Sequence, residues 1–250
     1  MSFRDGEEGI GMENEFTNYY ERLGAAYVRG ISVAKKEFRV TNLCRAPFNA
    51  LTEEEIRTLF RTGMKTGLKM YRFKRTHENL PRVRRVLGIL KSLQFGSLID
   101  VGSGRGVFLF PFLDQFPWVA VTALDIRKDR TEFLEAVHRG GIENLTVLNA
   151  DICTFPFPED SVDAVTMLEV LEHIPSVEKA VEAAVRMARK YVVVTVPSKE
   201  DNNPEHIHLL TKKKLTDLFQ SAGCERLHFD GVNGHLIMIA MLEKGNGKDG

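Results

Sequence analysis

The stretch Leu98-Ile-Asp-Val-Gly-Ser-Gly-Arg-Gly-Val-Phe-Leu-Phe110 decides the fold. Apolar residues surround Asp100 up to Val101, and glycines follow at Gly102, Gly104 and Gly106. A second apolar set, Val107, Phe110 and Leu113, then recurs at helical spacing. The pattern predicts a strand over 98–102, a tight turn and a helix over 106–116. A turn from strand end to helix start asks for backbone angles that a side chain resists, which is why glycine serves there. Bare backbone also lets a ligand approach the unpaired N–H groups of a helix start. The dinucleotide fingerprint is Gly-x-Gly-x-x-Gly. Here the spacing is Gly-x-Gly-x-Gly with Asp100 two places before the first glycine, and that carboxylate suits a cationic ligand group better than a pyrophosphate. The spacing argues against a nicotinamide-dependent oxidoreductase.

Strand and helix alternate from Ser97 onward. Strands are expected near 98–102, 119–125, 145–149, 162–168 and 190–196, and helices near 106–116, 129–140, 177–189 and 211–222. Such alternation implies an α/β fold with a mainly parallel sheet, right-handed crossovers and helices on both faces. Two last apolar runs, 225–229 and 235–242, are joined by the Asp230–Gly234 turn signal and predict a terminal antiparallel hairpin at the sheet edge.

With 250 residues, 43% apolar and 27% charged, the chain has room for one large domain and a small extension. Formal net charge is zero, so overall charge selects no partner. Cys44, Cys153 and Cys224 are scattered and outside metal-type spacing, which points to a reducing cytoplasm. The acidic N-terminus shows no secretory signal, and the apolar runs are too short to span a bilayer, so no membrane partner is expected.

Residues 1–94 read as a helical extension or lid, 95–243 as the main domain and 244–250 as a tail. Glu53–Met70 is predicted as an amphipathic helix with Thr52 as its N-cap, and Pro81 opens another helix. Between Arg57 and Lys91 there are eleven Lys/Arg and one acid, Glu78. These are either solvated helix faces or a basic lip that draws in a phosphate-bearing or nucleic-acid substrate. Tyr71, Phe73 and His77 lie among them and would suit base stacking.

Asp100-Val-Gly-Ser-Gly-Arg-Gly106 resembles the first motif of class I S-adenosylmethionine-dependent methyltransferases, and the chain is similar to their type-11-like branch. The resemblance covers about residues 95–243 and implies a Rossmann-like, seven-stranded sheet. It places Asp100 near the amino end of the methionine moiety, with Gly102, Ser103, Gly104 and Gly106 making room for the cofactor. Asp125 closes the second strand and can accept hydrogen bonds from both ribose hydroxyls. The resemblance further implies that Asp151 and Ile152 contact adenine, and Ile126 and Leu168 complete the cofactor set. Tyr19 and Tyr20 are expected to close over it. The product would be S-adenosylhomocysteine.

The fourth strand runs into Glu169-Val-Leu-Glu-His173. If Glu169 opens a helical turn, Glu172 and His173 share its face and form half of a divalent metal site. The segment resembles the metal motif of small-RNA 3′-terminal 2′-O-methyltransferases and the corresponding segment of ubiquinone-pathway O-methyltransferases. His206 and His208 follow the fifth strand in a polar, proline-bounded loop. His208 is assigned with Glu169, Glu172 and His173 to the metal. Glu169, His173 and His206 are assigned to catalysis, and His235 is a weaker candidate. The RNA-methylating family carries an Asn and Phe pair in this loop that the chain lacks. O-methylation of a small molecule is therefore the preferred expectation. An RNA acceptor bound through 57–91 and a non-catalytic cofactor-binding protein stay open as alternatives.

Overall fold

A computed structural model describes residues 19–35, 43–73, 75–200 and 202–242. The acidic start through residue 18 and the tail predicted from residue 244 lie outside these. Seven strands form one sheet: β1 Ser97–Val101, β2 Ala120–Asp125, β3 Leu145–Asn149, β4 Val162–Leu168, β5 Ala188–Pro197, β6 Arg226–Val232 and β7 His235–Met241. Their order is β3-β2-β1-β4-β5-β7-β6. All neighbouring pairs are parallel except those made by β7, which runs antiparallel to both β5 and β6. Chain order reverses between β1 and β4, and the strand ends at such a switch point leave a crevice.

The helices are α1 Tyr19–Lys35, α2 Glu53–Lys65, α3 Pro81–Leu90, α4 Leu109–Gln115, α5 Lys128–Arg139, α6 Val177–Met187 and α7 Lys212–Ser221. Alternate strand residues feed two separate cores, as the pleat requires. Ala164, Val193, Ile237 and Ile239 pack with α1 to α5, whereas Val165, Val192, Val194, Met238 and Ala240 pack with α6 and α7. The extension is thus continuous with the core of one sheet face. Its Leu23, Ile56, Phe73 and Val86 share that core with Phe110 and Phe133.

Several boundaries differ from expectation for local reasons. The helix predicted from 106 begins at Leu109, because Gly106 has φ 82° and cannot be helical. α2 stops at Lys65 instead of reaching Met70, since Thr66 caps it and Gly67 turns left-handed at φ 73°. Its N-terminus is as predicted: the Thr52 side chain accepts from the Glu55 N–H, and the Glu55 carboxylate accepts from the Thr52 N–H, a reciprocal capping box. β6 extends through Asp230 to Val232, so the hairpin turn is only Asn233 and Gly234, both at positive φ. Phe73, expected to stack on a base, is buried against Phe110 with ring centroids 5.4 Å apart. Tyr19 and Tyr20 belong to α1 and pack into the core, not over the crevice.

Candidate functional site

Gly102, Gly104 and Gly106 all adopt left-handed angles, φ 67°, 59° and 82°. A Cβ on Gly102 would lie 2.6 Å from Val170 Cγ2, so the turn has no room for a side chain there. The turn is tied to β2: the Gly102 N–H donates to the Leu124 carbonyl at 2.7 Å, and the Gly104 N–H donates to Asp125 Oδ2 at 2.9 Å. Asp125 Oδ1 accepts from the Arg127 N–H at 2.9 Å. Each carboxylate oxygen keeps a lone-pair site for a ribose hydroxyl.

Asp100 lies at the end of β1 with 3% exposure. Its Oδ1 accepts from Thr166 Oγ1 at 2.7 Å, across the β1–β4 register that pairs the two residues. Burial pushes its pKa up to about 6, against the downward pull of hydrogen bonds from Thr166 and Ser103. A buried acid so placed gains most by meeting a cationic group, and the ammonium of a methionine moiety fits it. Asp151 Oδ1 accepts from the Cys153 N–H at 2.8 Å. Ile126, beside Asp125, is 66% exposed and offers an apolar face to a base. Ile152 is buried, in the core on the α6 side.

The crevice is a cavity of about 410 Å³ bounded by the glycine turn, α3 and the ends of β4 and β5. Asp100, Gly102, Gly104, Leu168, Glu169 and His173 line it. Cavities of about 440 and 430 Å³ open along α6 and α7. Neither holds the glycine turn or the carboxylates at the strand ends.

Glu169 does not open a helix. It has φ 57°, a left-handed angle that is costly for a residue with a Cβ, and only Leu171–His173 forms a 3₁₀ turn. Its N–H donates to the Thr195 carbonyl at 2.9 Å and Oε1 accepts from Thr195 Oγ1 at 2.8 Å. His235 Nδ1 lies 3.0 Å from Oε2. Glu169 is therefore not on one helical face with Glu172 and His173, against the expectation, and shares only the crevice wall with His173. His208 is also elsewhere: Nε2 donates to the Ile174 carbonyl at 3.1 Å, and the ring lines the groove between α6 and α7.

In their place the structure assembles Glu172, His173 and His206, whose ligand atoms lie within 4.8 Å of one another. His173 Nδ1 donates to the Glu205 carbonyl at 2.9 Å, which fixes the tautomer and leaves Nε2 bare. The His173 and His206 rings meet at 4.8 Å, edge to face. The loop is stitched to this turn by the Ile207 N–H, which donates to the Glu172 carbonyl at 2.9 Å. Two imidazoles and a carboxylate form a donor set suited to a divalent transition metal.

Sequence reasoning missed Thr166 and Thr195, the residues that position the two carboxylates. Their signal was present: each is the single threonine within an apolar run, Ala164–Leu168 and Val192–Val196, and both are buried.

Comparison with known proteins agrees with this geometry. Residues 99–194 match the family described as "Methyltransferase domain". An uncharacterised chloroplastic methyltransferase of Arabidopsis thaliana is 32% identical over 104 residues, 40% of this chain and 30% of that protein. The chain thus spans under a third of the length of that relative. A SAM-dependent methyltransferase from Aquifex aeolicus superposes with TM-score 0.55 at 22% identity, covering 67% of this chain and 93% of the other. A structure from Nostoc punctiforme, described as a putative O-methyltransferase, superposes with TM-score 0.56 at 12% identity, covering 92% of this chain and 74% of the other. The structural likenesses show the fold. The family match over residues 99–194 and the curated relative support a class I S-adenosylmethionine-dependent methyltransferase, with that segment similar to methyltransferase domains.

Proposed function

We propose that this chain methylates an oxygen of a small-molecule acceptor with S-adenosylmethionine as donor. The observation that carries the reading is the pairing, across one crevice, of a buried carboxylate beside the glycine turn with Glu169 and His173 at the neighbouring strand end. When bound, the cofactor supplies a methyl group already activated on a sulfonium, and the carbon–sulfur electron pair returns to sulfur as the methyl leaves. Asp100 holds the ammonium, Asp125 accepts from the ribose hydroxyls, and Asp151 and Ile126 take the adenine. Bare glycine backbone allows the close approach that fixes the donor in line with the acceptor. The acceptor hydroxyl gives its proton to His173 Nε2, the ring nitrogen left free by the Glu205 contact. Glu169, held by Thr195 and beside His235, orients that hydroxyl through its remaining lone pairs.

A metal-assisted variant rests on the Glu172, His173 and His206 set. A bound divalent ion would lower the pKa of a coordinated hydroxyl, and the Glu205 carbonyl would orient His173 from behind. Cys44, Cys153 and Cys224 are free thiols, which supports a reducing compartment such as the cytoplasm. Among the described residues no helix is long and apolar enough to cross a membrane.

The test is calorimetric titration of cofactor-stripped protein with S-adenosylhomocysteine, with and without Mg²⁺ or Mn²⁺. Micromolar binding that Asp125→Ala abolishes is expected. No binding under either condition would sink the reading. Tighter binding or transfer only with metal would select the metal-assisted variant.

A further inference from the structure

Among the described residues of the basic stretch 57–91, Arg82 is the cation that lines the crevice. Arg57 and Arg61 lie beside Glu53 and Glu54. Arg72 sits over the Phe133 ring, and Arg85 pairs with Asp230 at the far hairpin. These five arginines thus meet different surroundings. At the crevice, Arg82 from α3 is joined by Arg105 from the glycine turn and Arg130 from α5. Arg130 Nη1 lies 2.9 Å from where a Cβ on Gly104 would stand, directly against the turn. Among the described residues none of these guanidiniums has a hydrogen bond or salt bridge to a carboxylate.

We infer that the crevice takes a small acidic acceptor, a molecule carrying a phosphate or carboxylate, held by Arg82 and Arg105. The charge count argues for it. Three guanidiniums and two carboxylates, Asp100 and Glu169, line the crevice, Arg130 also acts on the neighbouring Asp129, and the cofactor brings one further positive charge. The cofactor's own carboxylate can engage Arg130, which stands against the glycine turn, and this leaves Arg82 and Arg105 open. Planar guanidiniums bind phosphate and carboxylate in bidentate fashion, so they orient the acceptor as well as attract it. The cavity of about 410 Å³ must take the cofactor as well, so the space left beside its reactive end suits a small acceptor.

This inference rests on the cofactor reading above. The test loads the protein with S-adenosylhomocysteine and titrates it with inorganic phosphate, with acetate, and with a short RNA oligomer. Phosphate or acetate should bind in the millimolar range or tighter. Arg82→Gln and Arg105→Gln should each weaken that binding about tenfold, Arg82→Lys should weaken it less, and S-adenosylhomocysteine affinity should stay within about twofold. Preference for phosphate over acetate, or the reverse, names the acidic group. The proposal is overturned if both anions bind the Gln variants as well as the parent protein. It is also overturned if Arg82→Gln loses the cofactor product, which makes Arg82 a cofactor ligand. RNA that binds with a steep salt dependence and is not displaced by phosphate would replace the small acceptor with a polymer. If S-adenosylhomocysteine fails to bind the parent protein, the cofactor reading falls and this inference with it.

Discussion

Asp100 combines near-complete burial with hydrogen bonds from Thr166 and Ser103, and this combination makes its charge conditional. Its folded pKa, about 6, lies above the ordinary 3.8. Between those values the folded protein holds the proton more tightly than the unfolded chain. Stability conferred by the protonated form is therefore full below about pH 4 and is lost as pH rises through 6. The loss in ligand-free protein should be about 3 kcal/mol, read as a falling denaturation midpoint that Asp100→Asn flattens. Cofactor binding runs the other way, because only the carboxylate pairs with an ammonium. S-adenosylhomocysteine affinity should rise with pH up to about 6 and then level off, and an affinity independent of pH would remove Asp100 from the site. At Gly102, φ 67° and Val170 at 2.6 Å leave no space for a methyl group. Gly102→Ala should weaken S-adenosylhomocysteine by more than about tenfold in calorimetry, through strain of the order of 1–3 kcal/mol.

Two helices meet at unusually short range. A Cβ on Gly30 of α1 would stand 1.9 Å from the Ala136 carbonyl oxygen of α5, and one on Gly140 would stand 1.7 Å from the Ala26 carbonyl oxygen. Backbone cannot yield as a side chain does, so Gly30→Ala must push the helices apart. The expected loss is about 3 kcal/mol, a fall of roughly 6–12 °C in Tm for a chain of this size. The α2 capping box is exposed and carries less. Thr52→Ala should cost about 1 kcal/mol in urea denaturation and leave cofactor binding unchanged. Glu169 shows the opposite economy at the end of β4, where its left-handed backbone turns the carboxylate toward Thr195 and His235. Helical spacing could not reveal that turn, because one non-glycine residue at φ 57° breaks the periodicity on which the inference from Glu169, Glu172 and His173 depended.

Across the whole molecule, α1 to α3 share one core with α4, α5 and a sheet face. A fragment starting at residue 95 should therefore lack a cooperative thermal transition and a dispersed amide spectrum. A sharply melting fragment would show the extension to be a separable lid. The sequence determined the architecture: apolar runs of strand length, helical stripes and the Asp100–Gly106 turn are local signals, set by backbone sterics and by the periods of helix and strand. It also marked Asp100, Asp125 and Asp151 as the acids at successive strand ends. What only the tertiary structure decided is which distant side chains meet. Thr166 reaches Asp100 through strand register, His235 reaches Glu169 because β7 folds back beside β5, and His206 rather than His208 joins Glu172 and His173 because backbone hydrogen bonds pin their loop. The grouping of Arg82, Arg105 and Arg130 at one cavity has the same origin. Those contacts link residues up to about 66 positions apart or come from loops without a repeating pattern, and close packing rather than local propensity brings them together.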